Sequence, residues 1–335
     1  MILFIVAWDL LEELGFEHHL YRFASLPQTP YTDFTGFGPF LAPFAWFSVY
    51  WGFIAVVIVG VSILLWRSGT DDDWRARWTE ARARFRGSVS ALIGIGGIGT
   101  VAAGSWIFYN TNVLNAYVPS MEAADAKASY ERRYRKYQGI ELPRIVAVRA
   151  DVDIFPERRS VAIRGSYRLR NRSAVALRDI HVSIPERVRV NRLDLPAHDV
   201  LLEDKALGYR ILCLHNPIAP GDSVDLGFDL AADNPGFVNN GTQTTVIDNG
   251  TYFTKRDFFP VIGFDAHRQL DEPEERRKRG LEPVIHFAKG DDIAARQNTP
   301  RASDADRVEF ETTVSTSIDQ IAVTSGELQR QWVKD

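Results

Sequence analysis

A peptidase zinc is held by two histidines one helical turn apart, beside a glutamate that takes the proton from the attacking water. This chain of 335 residues has seven histidines, and none is followed by glutamate, so the HExxH motif does not occur. Glu17-His18-His19 has the composition of a metal cluster, but adjacent side chains share no face and no third ligand is evident. Surface residues beside a membrane are the expectation there. His198-Asp199 and His215 would meet only across a sheet, as the seed of a site with a carboxylate. The single cysteine, Cys213, excludes an intrachain disulfide and any CxxC site. Its setting, "YRILCL", reads as a strand in which cysteine is a small hydrophobe. There is no GxSxG elbow and no GxxxxGK[ST] phosphate loop. The glycines of "GIGGIGT", Gly94 to Thr100, lie in an apolar stretch where a bound phosphate would sit in lipid.

The elements around these residues divide sharply by charge. No Asp, Glu, Lys or Arg occurs from Phe34 to Trp66 or from Gly87 to Met121. Residues 40–66 exceed the roughly 20 apolar residues that span a hydrocarbon core and carry aromatic residues at both ends. Residues 87–109 form a second span, rich in the small residues that let membrane helices approach closely. Between them, the loop 67–86 holds six arginines, which places it in the cytoplasm by the positive-inside rule. Residues 1–39, with acidic residues and the single Arg22, then lie outside. The apolar start "MILFIVAWDLLEEL" is too short to span and has no basic residues before it. It reads as the end of a membrane helix whose beginning is missing, and a truncated gene or an internal start is the expectation. The expected location is the inner (cytoplasmic) membrane, multi-pass, with membrane lipid as a partner and everything after about Asn110 extracytoplasmic. A net charge of -4 gives no footprint for nucleic acid, and "RRKR", Arg276 to Arg279, reads as a solvated face.

After a helical stalk over 110–142, the pattern changes to period two. Strands are expected at Ile145–Phe155, Ser160–Asn171, Arg178–Ile184, Val188–Leu193, Tyr209–His215 and Val224–Ala231, separated by "NRSA", "APGD" and "ADNPG". Val152 and Ile154 in the first strand, and Val161, Ile163, Tyr167 and Leu169 in the second, make a half-buried hairpin about the turn "PERR". Asn240-Gly241 and Asn249-Gly250 suggest a further hairpin. A charged, exposed helix follows in "DEPEERRKRGLEP", and "DRVEFETTVSTSIDQIAV" resumes the alternation. The fold class is two transmembrane helices plus an all-β, antiparallel saddle or sandwich over 143–335, outside the membrane.

The order of these features, with "YQGIELPRI", "VDIFPERRSVAIRGSYRLRNRS", "DNGTYFTKRDFFPVIGFDAHRQLDEPEERRKRGL" and "DADRVEFETTVSTSIDQIAVTSGELQRQW", resembles the bacterial membrane proteins that join an ABC-transporter-type permease to a zinc aminopeptidase of the aminopeptidase N type. The resemblance implies that 143–335 is the N-terminal β-saddle of such an enzyme. It also implies further membrane helices before Phe40 and a catalytic domain after "QW", neither of which the sequence contains. Aligning Arg256 and Pro260 with the family pattern puts Asn249, Gly250 and Thr251 where related enzymes hold a peptide's free amine. Asn249 keeps an amide, Thr251 does not, and a plain tight turn at Asn249-Gly250 stays open as an alternative. This chain alone is therefore expected to be no enzyme and to need no cofactor. The reading is a membrane-anchored, non-catalytic portion that binds peptides or a partner chain, such as a zinc aminopeptidase catalytic domain or the missing permease helices. One half of a split aminopeptidase and an independent adhesion or sensing domain are the alternatives.

Overall fold

The structure, a computed structural model, describes residues 15–66, 74–284 and 307–333. The helix end expected within the first 14 residues, part of the arginine-rich loop and the polar loop of 285–306 lie outside the described residues. The chain forms two compact units. One comprises the described residues up to Ser120 together with Pro235–Thr244, and the other runs from Met121 to Asn234 and resumes at Thr245.

The first unit is built on α1 (Gly38–Leu65) and α3 (Ser88–Phe108), joined through α2 (Trp74–Arg84). Both α1 and the continuous helix Ser88–Leu114 are long and apolar enough to cross a membrane. They run antiparallel at close range because glycine removes the side chains between them. A Cβ at Gly96 would lie 2.8 Å from Val57, and one at Gly99 would lie 2.5 Å from the Phe53 ring. After Phe108 the helix widens into a π-turn, Tyr109–Leu114. Phe47 and Ile107 are fully buried there, and they pack with Phe237 from the inserted segment.

Among the described residues of the second unit, α4 (Ser120–Tyr134) is followed by nine strands in two sheets. The strands are β1 (Arg144–Phe155), β2 (Ser160–Arg170), β3 (Leu177–Ser183), β4 (Arg189–Asp194), β5 (His198–Asp204), β6 (Tyr209–Ile218), β7 (Ser223–Asp233), β8 (Val261–Ile262) and β9 (Glu309–Ser315). Their orders are β4-β7-β2-β1-β9 and β5-β6-β3-β8. The first hairpin forms as its alternation requires: Val152 faces Ile163 and Ile154 faces Val161, while Val161, Ile163, Tyr167 and Leu169 enter the common core. Two departures from the sequence expectation stand out. β9 pairs with β1 in parallel, so the sheet is mixed; the long return from β7 lets the chain arrive in either direction. β5 was not expected, because Val200 and Leu201 are adjacent and both exposed and a bulge between Val200 and Leu202 breaks the alternation that announces a strand. Near Asn240-Gly241 the chain makes only an isolated bridge between Val238 and Gly241, without the flanking strands of a hairpin.

The helix expected as a stalk is part of the β unit. Tyr130 and Tyr134 pack with Tyr209 and Ile211, the rings of Tyr134 and Tyr209 stack at 4.1 Å, and Ala124 and Ala128 pack on Leu270. Arg276, expected on a solvated face, is 1% exposed. It sits in the short helix α6 (Pro273–Lys278) and pairs with Glu131 of α4 at 2.7 and 2.8 Å. Gly165 marks the tightest point of the five-stranded sheet: a Cβ there would lie 2.4 Å from the Arg149 carbonyl and 2.9 Å from the Phe228 ring. Gly165→Ala is expected to destabilise this unit by about 1–3 kcal/mol, read as a lowered denaturant midpoint with an unchanged slope.

Candidate functional site

The residues proposed to meet a peptide lie on the connection from Thr245 to Pro260. Its first residues, Val246 and Ile247, are buried. Thr251 closes the next turn, its Oγ1 accepting from the Ile247 amide at 3.1 Å and donating to the Ile247 carbonyl at 2.9 Å. Gly250 takes φ +83°, the left-handed conformation that glycine adopts without strain. Thr254 and Asp257 then form a capping box on the turn α5 (Lys255–Phe258). Phe253 and Phe258 pack edge to face at 4.9 Å, and the Pro260 carbonyl accepts from the Tyr167 hydroxyl at 3.1 Å. The loop is thus fixed at both ends, while Asn249, Tyr252 and Arg256 face solvent. The Thr251 hydroxyl is committed to the turn itself, which leaves the Asn249 amide and the Arg256 guanidinium as the groups able to meet a ligand. These two can bind and orient a ligand.

Of the other expected residues, His215 Nε2 and Asp199 Oδ1 do meet across β6 and β5, at 3.2 Å. His198 turns instead to the Pro196 carbonyl at 3.0 Å. Among the described residues no group of three His, Cys, Asp or Glu side chains is placed to hold a metal.

His18 departs most from its expectation. It is 2% exposed, with Nε2 3.0 Å from Thr111 Oγ1 in the π-turn and its ring 4.8 Å from that of Tyr117. The Leu20 amide donates to His18 Nδ1 at 3.1 Å, which fixes the neutral tautomer with its hydrogen on Nε2. Burial, aided by neighbouring His19, pushes its pKa down to about 4. His19 is also lowered, first by burial and then by Arg22. Its amide donates to Asn239 Oδ1 at 3.0 Å and its Nδ1 lies 2.6 Å from Ser25 Oγ. Asn115 donates to the carbonyls of Pro235 and Phe237 at 2.8 and 3.3 Å. The sequence holds only faint signals of this corner: the polar "NTN" ending an apolar helix, and Asn239-Asn240 far along the chain.

Past β9 the chain runs on without regular structure and exposes large apolar side chains. Ile318, Ile321, Val323 and Leu328 are 80–89% exposed, and Trp332 and Val333 56% and 71%. Gln320 ties this run to the candidate loop, donating to the Asp248 carbonyl at 2.5 Å.

No family model matches the chain, and no curated protein does. Solved structures that resemble part of it include an M1 zinc metallopeptidase from Deinococcus radiodurans, with 12% identity, 28% of this chain, 21% of that chain and a TM-score of 0.24. Native yeast LTA4 hydrolase is another, with 10% identity, 28% of this chain, 15% of that chain and a TM-score of 0.21. The chain spans less than a quarter of the length of either of these structures.

Proposed function

We propose that this chain is a membrane-anchored, extracytoplasmic β-domain that recruits a partner protein domain and hydrolyses nothing by itself. The observation that carries this reading is the run from Ile318 to Val333. Six large apolar side chains more than half exposed within one irregular segment are far beyond the scattered apolar residues of an ordinary surface. The run leaves the sheet edge beside the Asn249–Arg256 loop, so a domain docking on it also closes over the two free polar groups of that loop. By the sequence resemblance this partner is a zinc aminopeptidase catalytic domain, and the polar groups meet the end of a peptide. The two apolar helices anchor the chain, and the arginines between them set the β-domain on the external side of the inner membrane.

A reporter active only outside the cytoplasm should give signal when fused after Gln138 and none when fused after Arg77; the reverse pattern overturns the orientation. The purified chain should hold substoichiometric zinc and release no amine from aminoacyl chromogenic substrates. Stoichiometric zinc with chelator-sensitive turnover would sink the non-catalytic reading. With its partner domain absent, the detergent-solubilised chain should self-associate through this run, and replacing Ile321 and Val323 by Asp should abolish that association; unchanged association would discard the run as the docking surface.

A further inference from the structure

Helix α1 is longer than a membrane requires, and its aromatic residues mark where the membrane ends. Its 28 residues extend about 42 Å, against a hydrocarbon core of about 30 Å. Trp46 and Trp66 are spaced by about 30 Å of helix. Trp46 lies 5.8 Å from Trp106 of α3, and Trp106 stacks on Tyr109, so both helices carry an aromatic belt at one level. At the other end the Trp66 carbonyl accepts from Arg84 at 2.5 Å. The turns of α1 before Trp46 therefore stand above the hydrocarbon, about 13 Å of helix in all.

The turn His18–Ser25 packs below those turns. Its Leu20 carbonyl accepts from the Tyr50 hydroxyl at 3.2 Å and its Ser25 carbonyl from the Trp51 indole at 3.1 Å. Those residues follow Trp46 by four and five positions, about 6–8 Å farther along the axis. Because side chains lean toward the helix N-terminus, the turn lies level with the belt or a few ångström inside it.

Irregular backbone survives at such a depth only if its polar groups are satisfied within the protein, and several of this turn's groups are. The amides of Tyr21 and Ser25 donate to the His18 and Arg22 carbonyls, both at 2.9 Å. Leu20 donates to His18 Nδ1 and His19 to Asn239 Oδ1, while the Ser25 hydroxyl meets His19 Nδ1. Leu20 packs inward, while Tyr21 and Phe23 keep 56% and 45% of their surface exposed, with the Phe23 ring resting edge-on against Trp51 at 5.3 Å. Arg22 carries the turn's one formal charge, and it faces His19, whose pKa it helps to lower.

We infer that the turn His18–Ser25 is a re-entrant element seated in the outer leaflet, with Tyr21 and Phe23 against lipid, whereas Phe34, 79% exposed, stands in water. This rests on the membrane-spanning reading of α1 and α3. The test places single nitroxide labels on the full chain with Cys213→Ser, reconstituted in phosphatidylcholine–phosphatidylglycerol vesicles, at Tyr21→Cys, Phe23→Cys, Phe34→Cys and Val59→Cys. Val59 is 53% exposed at mid-helix. Collisions with oxygen, which concentrates in lipid, are compared with those of a water-soluble nickel chelate. The expected oxygen-to-chelate ratio is severalfold higher at positions 59, 23 and 21 than at 34. A lipid signal at 59 with aqueous signals at both 21 and 23 overturns the inference and leaves the spanning helices standing. An aqueous signal at 59 overturns the spanning reading itself.

Discussion

Arg276→Met is expected to destabilise the β unit by about 3–5 kcal/mol, the usual cost of removing one partner from a buried ion pair. Arg276 and Glu131 have side chains 2% and 1% exposed, so neither charge can recover its lost partner from water. Arg276 also donates to the Glu282 carbonyl at 2.7 Å and to the Leu270 carbonyl; its loss strands those acceptors as well. Burial alone would raise the Glu131 pKa, but the hydrogen bonds and charge of Arg276, with those of Arg135, outweigh it and leave the carboxyl below its ordinary range. A pair with that sign contributes stability above the ordinary carboxylate pKa and loses it as pH falls through the lowered value. The measurement is urea-dependent proteolysis of the detergent-solubilised chain at neutral pH. Glu131→Leu combined with Arg276→Met should cost less than the two single changes added together, since no buried charge is left unpaired and Arg135, the other partner of Glu131, is 39% exposed to water. A single-variant cost below about 1 kcal/mol would make the pair a surface-like contact and refute this account.

That arginine also shows where sequence reading stops. In "PEERRKRG" six consecutive residues are charged, and charge at that density ordinarily means solvent. Only the fold brings Glu131, far back in the chain, to Arg276, the arginine of this run that is buried. The first hairpin was legible for the opposite reason. Val152, Val161, Ile163, Tyr167 and Leu169 are neighbours along two strands, and period two is a local signal that needs no distant partner. β5 shows the same rule failing: its bulge sets Val200 and Leu201 side by side on the outside, and the alternation disappears. The candidate loop was legible in part. Asn249-Gly250 announces a turn, but nothing local says that Thr251 spends its hydroxyl on the Ile247 backbone. The corner at His18 depends on Thr111 and Asn239, about 90 and 220 residues away. No spacing rule connects these three, so one buried and one half-buried histidine read as surface residues.

Acidification should loosen that corner before the rest of the first unit. His18 holds its ring neutral because Nδ1 accepts the Leu20 amide and Nε2 donates to Thr111. A second proton would set two N–H groups against each other in a buried space. The groups facing the two histidines offer little compensation: Arg22 opposes a further positive charge, Tyr21 and Tyr117 are neutral, and Glu17 spends its carboxylate on Ser120, accepting from its amide at 2.9 Å. Burial raises the Tyr117 hydroxyl to about 12, so it stays protonated throughout. With the folded pKa of His18 lowered from 6.5 to about 4, the unfolded turn binds the proton first. Its stability is therefore complete above pH 6.5, declines as pH falls through that value, and reaches its full loss near pH 4, a loss of roughly 3 kcal/mol. His19, shifted in the same direction, deepens the decline. Amide exchange of residues 15–25 in the detergent-solubilised chain, corrected for intrinsic rates, should lose protection between pH 6.5 and 4.5 while the β strands keep theirs. His18→Asn keeps an acceptor for the Leu20 amide but cannot titrate, so it should start less protected at neutral pH and lose little more on acidification. Equal acid sensitivity in the variant and the parent would show that another group, with Glu17 the nearest carboxylate, controls the turn.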